Sequence, residues 1–398
     1  MPNDVFAPAT LGPVQLRNRT IKAATFEGRT PHGLVTDDLI DYHLAPARGG
    51  VGLTTVAYLA VAPEGRTHRE VIVVNDGAAA GLAKLTDAIH ETGAKIAGQL
   101  GHAGPVANGR SNGSHALAAS KAPSPLSMQM IKSCTEADIT RITKDYVRTA
   151  RIMADTGFDV LEIHMAHGYL LSSFLAPKQN RRKDGWNGSL ENRSRFARQV
   201  ARAVRDQVGN AVAVTAKIGM TEGSPVGFSM PETVEFAQLL EADGTLDALE
   251  LSAGSSLLNP MYLFRGGVPL KAFAETMPPA LRLGLRTPIG KAFFKSYPFE
   301  EAYLREKALT FRAAVSMPLI MLGGINDKAT MDRAMEEGFE FVAMGRALLR
   351  EPDLVNRMAS GETTKGVCSH CNLCMAKAAA TSDKIGDTRT RCVEVAEV

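Results

Sequence analysis

Two histidines and a tyrosine lie close together in one short stretch of the sequence. The segment 162–169 reads Glu-Ile-His-Met-Ala-His-Gly-Tyr, and it contains His164, His167 and Tyr169. It continues Gly157–Leu161, an apolar run typical of a buried strand, so the three side chains are expected where a strand ends and a loop begins. Imidazole and phenol groups in such a position can hold an electron-poor oxygen and deliver a proton.

The composition limits the class of protein and the kinds of binding partner to be expected. The chain has 398 residues, of which 45% are hydrophobic and 22% charged, as in ordinary globular proteins. The net charge of +3 gives no reason to expect a nucleic-acid partner. No apolar run approaches the roughly 18 residues needed to span a bilayer, and no signal peptide is evident, so we expect no membrane contact. Five cysteines, an odd number, favour a reduced, cytoplasmic location, and a homo-oligomer stays possible.

The order of elements predicts the fold. Short apolar runs with few polar positions alternate with amphipathic stretches, which is typical of parallel strands buried on both faces. The predicted strands are Thr20–Ala24, Val51–Val56, Lys95–Gln99, Val160–His164, Ala213–Lys217, Ala248–Ser252, Leu319–Leu322 and Phe341–Met344. Eight such units predict an α/β protein with a single-domain (β/α)8 TIM barrel. The alternative is a doubly wound open sheet, but no Gly-x-Gly-x-x-Gly follows the first strand.

Three helix starts carry sequence signals. Thr135–Asp138 predicts a capping box, and Ser229–Glu232 predicts another, with a proline at the first helical position. Asn326 is predicted to cap the helix that follows the seventh strand.

A long segment, 259–311, separates the sixth and seventh predicted strands and is rich in Pro, Phe and Tyr. A long loop after a barrel strand opens on the C-terminal face, where active sites lie. We expect its start to form a lid or pocket wall, with Tyr262 and Phe264 as candidate substrate contacts, and its end to form the sixth helix. The alternative is a peripheral insertion outside the barrel. The chain then divides into a barrel at 1–360 and a Cys-containing tail at 361–398.

Other strand ends on the same face carry groups that suit a phosphorylated cofactor. Gly324 follows the seventh strand, and Gly345 and Arg346 follow the eighth, where barrels often bind phosphate through backbone N–H groups. Gln99 offers an amide donor and acceptor to a ring edge, and Lys217 offers a positive charge to an anionic reduced ring. The alternatives are a loop-capping role for Gln99 and a buried salt bridge for Lys217.

The chain resembles the old yellow enzyme family of FMN-dependent ene-reductases and NADH:flavin oxidoreductases, from about Phe6 to Met358. The motifs that carry the resemblance are Leu16–Arg19, Tyr42–Leu53, Gln99–Gly104, Phe158–Leu171, Phe174–Pro177 and Gly188–Phe196. The resemblance implies an eight-fold barrel that binds FMN on its C-terminal face. It also implies that NAD(P)H reduces the FMN first and leaves, which gives ping-pong kinetics.

The resemblance also implies roles for individual residues. The implied FMN contacts are Ala23, Ala24, Thr25, Phe26, Tyr58, Gln99, Lys217, Gly324, Gly345 and Arg346. His164 and His167 would bind the carbonyl or nitro oxygen of an activated alkene such as an enone, an enal or a nitroalkene. Hydride from flavin N5 would reach the β-carbon, and Tyr169 would protonate the α-carbon.

One part of the family pattern is changed in this sequence. The family's Pro-Met-Thr or Pro-Met-Cys at the end of the first strand is here Ala24–Phe26, so no thiol can tune the flavin there. We expect Phe26 to narrow the pocket and to alter the range of substrates.

The cysteines near the C-terminus, Cys368, Cys371, Cys374 and Cys392, form a second pattern. Larger relatives such as the 2,4-dienoyl-CoA reductases, whose barrel half this chain resembles, hold an iron–sulfur cluster with a similar run. The spacing differs here, and we favour a metal-free remnant. An iron–sulfur cluster or a zinc site that includes His370 are the alternatives.

The sequence is compatible with three functions. The first is an FMN-dependent oxidoreductase acting on small molecules with an activated alkene. The second is a metal- or phosphate-dependent barrel lyase or isomerase that uses the same His pair, against which the Gln99 motif and Lys217 argue. The third is a flavin-binding protein without turnover.

Overall fold

Eight parallel strands form a closed barrel in the computed structural model, which describes residues 4–275, 282, 284, 285, 287–378 and 389–395. The barrel strands, called first to eighth below, are Thr20–Lys22, Leu53–Ala60, Lys95–Gly101, Val160–Met165, Ala213–Gly219, Ala248–Ser252, Leu319–Leu322 and Phe341–Met344. Neighbours in the barrel are neighbours in the chain, and the eighth strand pairs with the first. The predicted (β/α)8 barrel is therefore confirmed, and each predicted strand overlaps one of these eight.

Helices cover the outside of the barrel. The main ones are Asp37–Arg48, Asp76–His90, Glu136–Asp155, Leu190–Val208, Met230–Asp243, Arg305–Ala314, Lys328–Glu336 and Leu354–Ala359. Shorter helices span Gly109–Asn112, Leu170–Leu175, Leu270–Glu275, Pro288–Phe293, Arg346–Arg350 and Leu373–Ala378. In the described part of the chain, no helix combines the length and the hydropathy that crossing a bilayer requires.

The N-terminal end of the barrel is closed by a hairpin. Strands Ala9–Leu11 and Val14–Leu16 pair antiparallel, and their buried leucines pack inside the barrel with Ile21, Val160 and Phe341. These three residues lie at or near the starts of their strands, so apolar packing fills this end. The polar groups of the barrel interior are left to the opposite, C-terminal end.

The predicted capping box at Thr135 is confirmed. The Thr135 hydroxyl accepts from the backbone N–H of Asp138 at 3.1 Å, and the Asp138 carboxylate accepts from the N–H of Thr135 at 2.9 Å. The second predicted box is wrong in detail. The helix begins one residue before Pro231, and the Ser229 hydroxyl donates to the Glu232 carboxylate at 2.9 Å instead of accepting from the backbone.

The predicted cap at Asn326 is also wrong. Asp327 caps the helix Lys328–Glu336 by accepting from the N–H of Ala329 at 2.8 Å. The amide of Asn326 donates instead to the backbone oxygen of Gly366 at 2.8 Å, so a contact with the C-terminal tail competes with the cap.

The segment after the sixth strand and the C-terminal tail are described in part. The described residues of the segment form a 3-10 turn at Pro260–Tyr262, the helices Leu270–Glu275 and Pro288–Phe293, and then the sixth barrel helix. Positions 276–281, 283 and 286 of the predicted insertion lie outside the described residues, as do positions 379–388 and 396–398 of the predicted tail.

Replacing Thr135 by alanine should lower the free energy of unfolding by about 1 kcal/mol, because one backbone N–H of the helix start loses its acceptor. Thr135→Ser keeps the hydroxyl and is the matched control, expected to stay close to the wild type. Urea unfolding followed by circular dichroism measures the difference from the transition midpoints. Equal midpoints for the alanine and serine variants would contradict the capping role.

Candidate active site

A cavity of about 380 Å³ opens at the C-terminal end of the barrel. Nearly all residues predicted for the site line it: Ala23, Ala24, Thr25, Phe26, Tyr58, Gln99, His164, His167, Tyr169, Lys217, Phe264, Gly324, Gly345 and Arg346. They come together because all eight parallel strands end at the same mouth.

Tyr262 is the predicted site residue that the structure does not bring into the cavity wall. Its ring packs against Gly223, meets the ring of Tyr297 edge-to-face at 5.3 Å, and lies under the guanidinium of Arg265 at 5.4 Å. These contacts occupy the side chain outside the cavity, whereas Phe264, two residues later, lines it.

His164 is a deeply buried polar donor at the mouth, with 4% of its surface exposed. Its ring centroid lies 5.0 Å from that of His167 and 4.3 Å from that of Tyr169. The backbone N–H of Ala166 points at its Nδ1 from 3.4 Å, which assigns the ring proton to Nε2. The Nε2–H of His164 makes no hydrogen bond to any described residue, so it can donate to a ligand.

His167 is held by a residue that the sequence analysis did not single out. Its Nε2 lies 2.7 Å from the hydroxyl of Ser252, a fully buried residue at the end of the sixth strand that also lines the cavity. The backbone of His167 has φ of 61°, a left-handed conformation that turns the loop after the fourth strand. Since Nε2 is engaged, Nδ1 is the ring nitrogen left for a ligand.

Burial sets the protonation of these groups. Burial, then the neighbouring His167 and Lys217, hold the pKa of His164 well below its usual range. Burial and then Lys217 lower the pKa of His167 to about 3. Burial raises the pKa of Tyr169 above its ordinary value. At neutral pH the site thus presents two neutral imidazoles and a protonated phenol.

Gln99 and Lys217 meet at a common carboxylate. Gln99 Nε2 donates to Oε1 of Glu162 at 2.7 Å, and Lys217 Nζ donates to the same oxygen at 2.9 Å. Oε1 of Glu250 lies 3.0 Å from Lys217 Nζ. The salt bridge considered for Lys217 is therefore present, although Lys217 also lines the cavity. Neither glutamate was assigned a role from the sequence, yet a charged residue inside an apolar strand was a usable signal.

Tyr58 contributes its ring to the cavity, because its hydroxyl is already engaged. The hydroxyl donates to the backbone oxygen of Gly65 at 2.7 Å, and the ring meets that of Tyr169 edge-to-face at 5.6 Å. Burial raises the pKa of Tyr58, so this phenol also keeps its proton, and the bond to Gly65 is what distinguishes it from Tyr169.

The rim after the seventh and eighth strands combines close packing with a cation. Gly324 has φ of 80°, and a Cβ there would lie 2.6 Å from the ring of Tyr303, so a side chain has no room. Arg346 donates through Nη1 to the backbone oxygen of Arg265 at 2.8 Å and to Oδ1 of Asn372 at 2.5 Å.

The C-terminal tail contributes to the cavity wall, which the sequence did not predict. His370 and Met375 line the cavity, and the His370 ring stacks on Phe299 with centroids 3.4 Å apart. The four tail cysteines line a small neighbouring cavity of about 20 Å³. Among the described residues, no three His, Cys, Asp or Glu side chains are arranged to hold a metal ion.

The residues present fit FMN. Gln99 and Lys217 supply donors and a charge at one side of the cavity, while Ala23, Phe26 and the ring of Tyr58 supply apolar walls. Gly324 and Gly345, which carry no side chain, line the same cavity as the guanidinium of Arg346. A flat ring with polar edges and an anionic tail requires this combination of groups.

Comparisons with known proteins agree with this fit. Residues 4–253 match the NADH:flavin oxidoreductase / NADH oxidase family. A 4,4'-dithiodibutanoate disulfide reductase from Rhodococcus erythropolis is 51% identical over 371 residues, which are 93% of this chain and 92% of that protein. A metal reductase from Desulforamulus reducens is 31% identical over 370 residues, which are 92% of this chain but 50% of that protein, so this chain spans about half of that relative.

A solved structure shows the same fold. The old yellow enzyme homologue from Zymomonas mobilis superposes with a TM-score of 0.72 at 20% identity, over 98% of this chain and all of that one. The family match decides against the lyase or isomerase alternative. The chain belongs to the NADH:flavin oxidoreductase / NADH oxidase family and is an FMN-dependent oxidoreductase with a nicotinamide as its reductant.

Proposed function

We propose that this enzyme reduces activated C=C bonds of small molecules, namely enones, enals and nitroalkenes, with NAD(P)H as the electron source. The observation that carries the proposal is the pairing of His164 with Tyr169. A neutral imidazole with a free Nε2–H lies 4.3 Å, ring centroid to ring centroid, from a phenol that keeps its proton. Such a pair can bind a carbonyl oxygen and protonate a neighbouring carbon.

In this proposal FMN is held by the residues predicted from the sequence. Gln99 and Lys217 hold the polar edge of its ring. The ring contacts Ala23, Ala24, Thr25, Phe26 and Tyr58, and the phosphate is held by Gly324, Gly345 and Arg346. What supports the placement is that all of these residues line one cavity.

Bound FMN supplies the hydride once NAD(P)H has reduced it. As hydride reaches the β-carbon of the substrate, negative charge grows on the carbonyl or nitro oxygen. Donors from His164 and His167 stabilise that charge more in the transition state than in the ground state. The proton that completes the reduction passes from the Tyr169 hydroxyl to the α-carbon. Ser252 keeps the ring of His167 in place during this step.

Ligand binding at the His pair should not depend on pH between about 8 and 5.5. A histidine gains its charge as the pH falls through its pKa, and burial places the pKa of His167 at about 3 and lowers that of His164. Titration of the FMN-loaded protein with an uncharged, non-ionising enone, followed by flavin absorbance, measures the affinity. A break near pH 6.5, the value of an unperturbed histidine, would contradict neutral, buried imidazoles.

Replacing both His164 and His167 by alanine should slow enone reduction by about 100-fold or more, because two oxyanion donors are lost. Reduction of the bound FMN by NAD(P)H should continue. Stopped-flow spectroscopy separates the two half-reactions, and FMN content is measured by absorbance. His115→Ala is the matched control, because His115 is exposed and bonded to the backbone of Met130, away from the cavity. Unchanged enone reduction in the double variant would overturn the assignment.

A second candidate function is the reduction of an organic disulfide. It is favoured by the relative named 4,4'-dithiodibutanoate disulfide reductase, which is 51% identical to this chain. In that reaction one disulfide, one NAD(P)H and one proton give two thiols and NAD(P)⁺. Sulfur leaves as a thiolate, which needs no carbon protonation, so Tyr169 matters less than for an alkene.

Tyr169→Phe distinguishes the two candidates. We expect the variant to lose about 100-fold in kcat with a weakly activated enone, since general-acid catalysis contributes on this scale. Its kcat with 4,4'-dithiodibutanoate should change little. Steady-state assays of wild type and variant with both compounds measure this. Wild-type turnover of the disulfide alone, with no enone or nitroalkene accepted, would favour disulfide reduction over our first proposal.

A further inference from the structure

Beneath the cavity, two carboxylates converge on one amine inside the barrel. Glu162, Lys217 and Glu250 lie on the fourth, fifth and sixth strands, and each is at most 3% exposed. Lys217 Nζ lies 2.9 Å from Oε1 of Glu162 and 3.0 Å from Oε1 of Glu250. Gln99 donates a further hydrogen bond to Glu162 at 2.7 Å. We call these three charged residues the acidic layer.

The charges of the acidic layer do not balance if all three groups are ionised. One ammonium and two carboxylates leave a net negative charge on side chains that are at most 3% exposed, which is strongly unfavourable unless a proton is retained. A retained proton makes the layer neutral. The remaining question is which of the two glutamates carries it.

The hydrogen bonds identify Glu250 as the carrier. Oε1 of Glu162 accepts two directed hydrogen bonds, from Gln99 and Lys217, so its acceptor capacity is used. Oε1 of Glu250 is close enough to Lys217 for a charge contact, yet it is buried and makes no directed hydrogen bond with any group in the described part of the chain. An ionised carboxylate would be poorly satisfied in that position.

The electrostatic surroundings point the same way. Burial and then the charge of Glu162 raise the pKa of Glu250, and Lys217 only partly opposes them. Burial lowers the pKa of Lys217, but the two carboxylates outweigh it, so the net shift is upward and the amine stays charged.

Few other titratable groups face the layer from the strands around it. His164 lies above Glu162 on the fourth strand, and its lowered pKa keeps it neutral. His167 is neutral and bonded to Ser252. Lys22, on the first strand, is a second buried amine, and its Nζ lies 3.4 Å from the backbone oxygen of Thr55. Burial lowers the pKa of Lys22 to about 8, with Glu27 opposing and Lys217 adding to the shift, so Lys22 also titrates in the pH range of interest. The seventh and eighth strands contribute apolar residues to the barrel interior.

We propose that Glu250 is a proton-holding positioning residue that is neutral at neutral pH. The positive charge of Lys217 then interacts with the Glu162 carboxylate and with the reduced cofactor, and no second carboxylate competes for it. At alkaline pH Glu250 ionises and the layer becomes negative, which opposes the negative charge that the cofactor gains on reduction. Reduction then draws one proton from water onto the Glu250 carboxylate, while the two electrons and the other proton come from NAD(P)H as hydride. The inference rests on the proposed placement of FMN beside Lys217 and is independent of the substrate class.

The pH dependence of the reduction potential tests the proposal. The FMN-loaded wild type is titrated anaerobically against redox dyes from about pH 6 to about pH 10. We expect a pH interval above neutrality in which the reduction potential falls more steeply with pH, because one additional proton is taken up for every two electrons. Glu250→Gln, which is permanently neutral, should bind FMN and lose that interval. A steep interval that persists in Glu250→Gln would overturn the proposal.

Two further variants distinguish a wrong assignment to Glu250 from a wrong placement of FMN. Glu222→Gln is the matched control, because Glu222 is 4% exposed and burial raises its pKa to about 7, but it bonds to Gln179 and does not line the cavity. Glu222→Gln should keep the steep interval. Loss of the interval in Glu222→Gln would contradict its assignment to Glu250. Lys217→Met should weaken FMN binding at least tenfold; unchanged affinity and potential would mean that the cofactor placement, and not the protonation of Glu250, is at fault.

If Glu250→Gln fails to fold, a second variant tests the same proposal. Glu250→Asp keeps a carboxyl group but withdraws it by one methylene, so its steep interval should move along the pH axis. An interval unchanged in this variant would overturn the proposal. Infrared spectra of the wild type give an independent readout, since a protonated-carboxyl band should disappear as the pH rises through the same interval. Absence of that band at neutral pH would also overturn it.

Discussion

The register of the closed barrel is the constraint on which the rest of the site depends. Parallel pairing sets Gln99 beside Glu162, and it sets Lys217 beside His164 on one side and Glu250 on the other. Side chains alternate between the two faces of a strand, so a slip of one residue would turn these groups out of the barrel. Because these residues lie on neighbouring barrel strands, the pairing of the strands brings their polar side chains together.

Three separate parts of the chain complete the cavity around this polar centre. The barrel supplies the floor, the segment after the sixth strand supplies one wall, and the C-terminal tail supplies another. Asn372 joins them, since its amide donates to the backbone oxygens of Phe264 and Gly267 at 2.6 and 2.9 Å and its oxygen accepts from Arg346. The tail is therefore packed as part of the site's architecture, although its cysteines have no role assigned by the structure.

Much of this arrangement could be predicted from the sequence, because it follows from local patterns. Apolar runs give the strands, and strand order gives the barrel. The end of each strand then places His164, Gln99 and Lys217 at one mouth. Tyr262 lies outside the cavity wall, since its ring packs against Tyr297, and its role as a substrate contact stays a prediction. Three expectations stay predictions: the lid role of the segment 259–311, the division of the chain into a barrel and a tail, and the roles of the individual site residues.

What the sequence could not show are contacts between residues far apart in the chain. The bond between His167 and Ser252 joins residues 85 positions apart. Asn326 was expected to cap a helix, but its amide finds the backbone of Gly366 in the tail. Both outcomes depend on which polar group is nearest after the barrel has closed, and no local pattern contains that information.

The central claim is that FMN lies over Gln99 and Lys217 and faces the His pair. A crystal structure of the FMN-loaded protein soaked with a phenol tests it most directly. The account predicts the flavin ring over these two residues, its phosphate beside Arg346, and the phenol oxygen within hydrogen-bonding distance of His164 Nε2. A flavin bound elsewhere, or a phenol oxygen that contacts neither histidine, would contradict it.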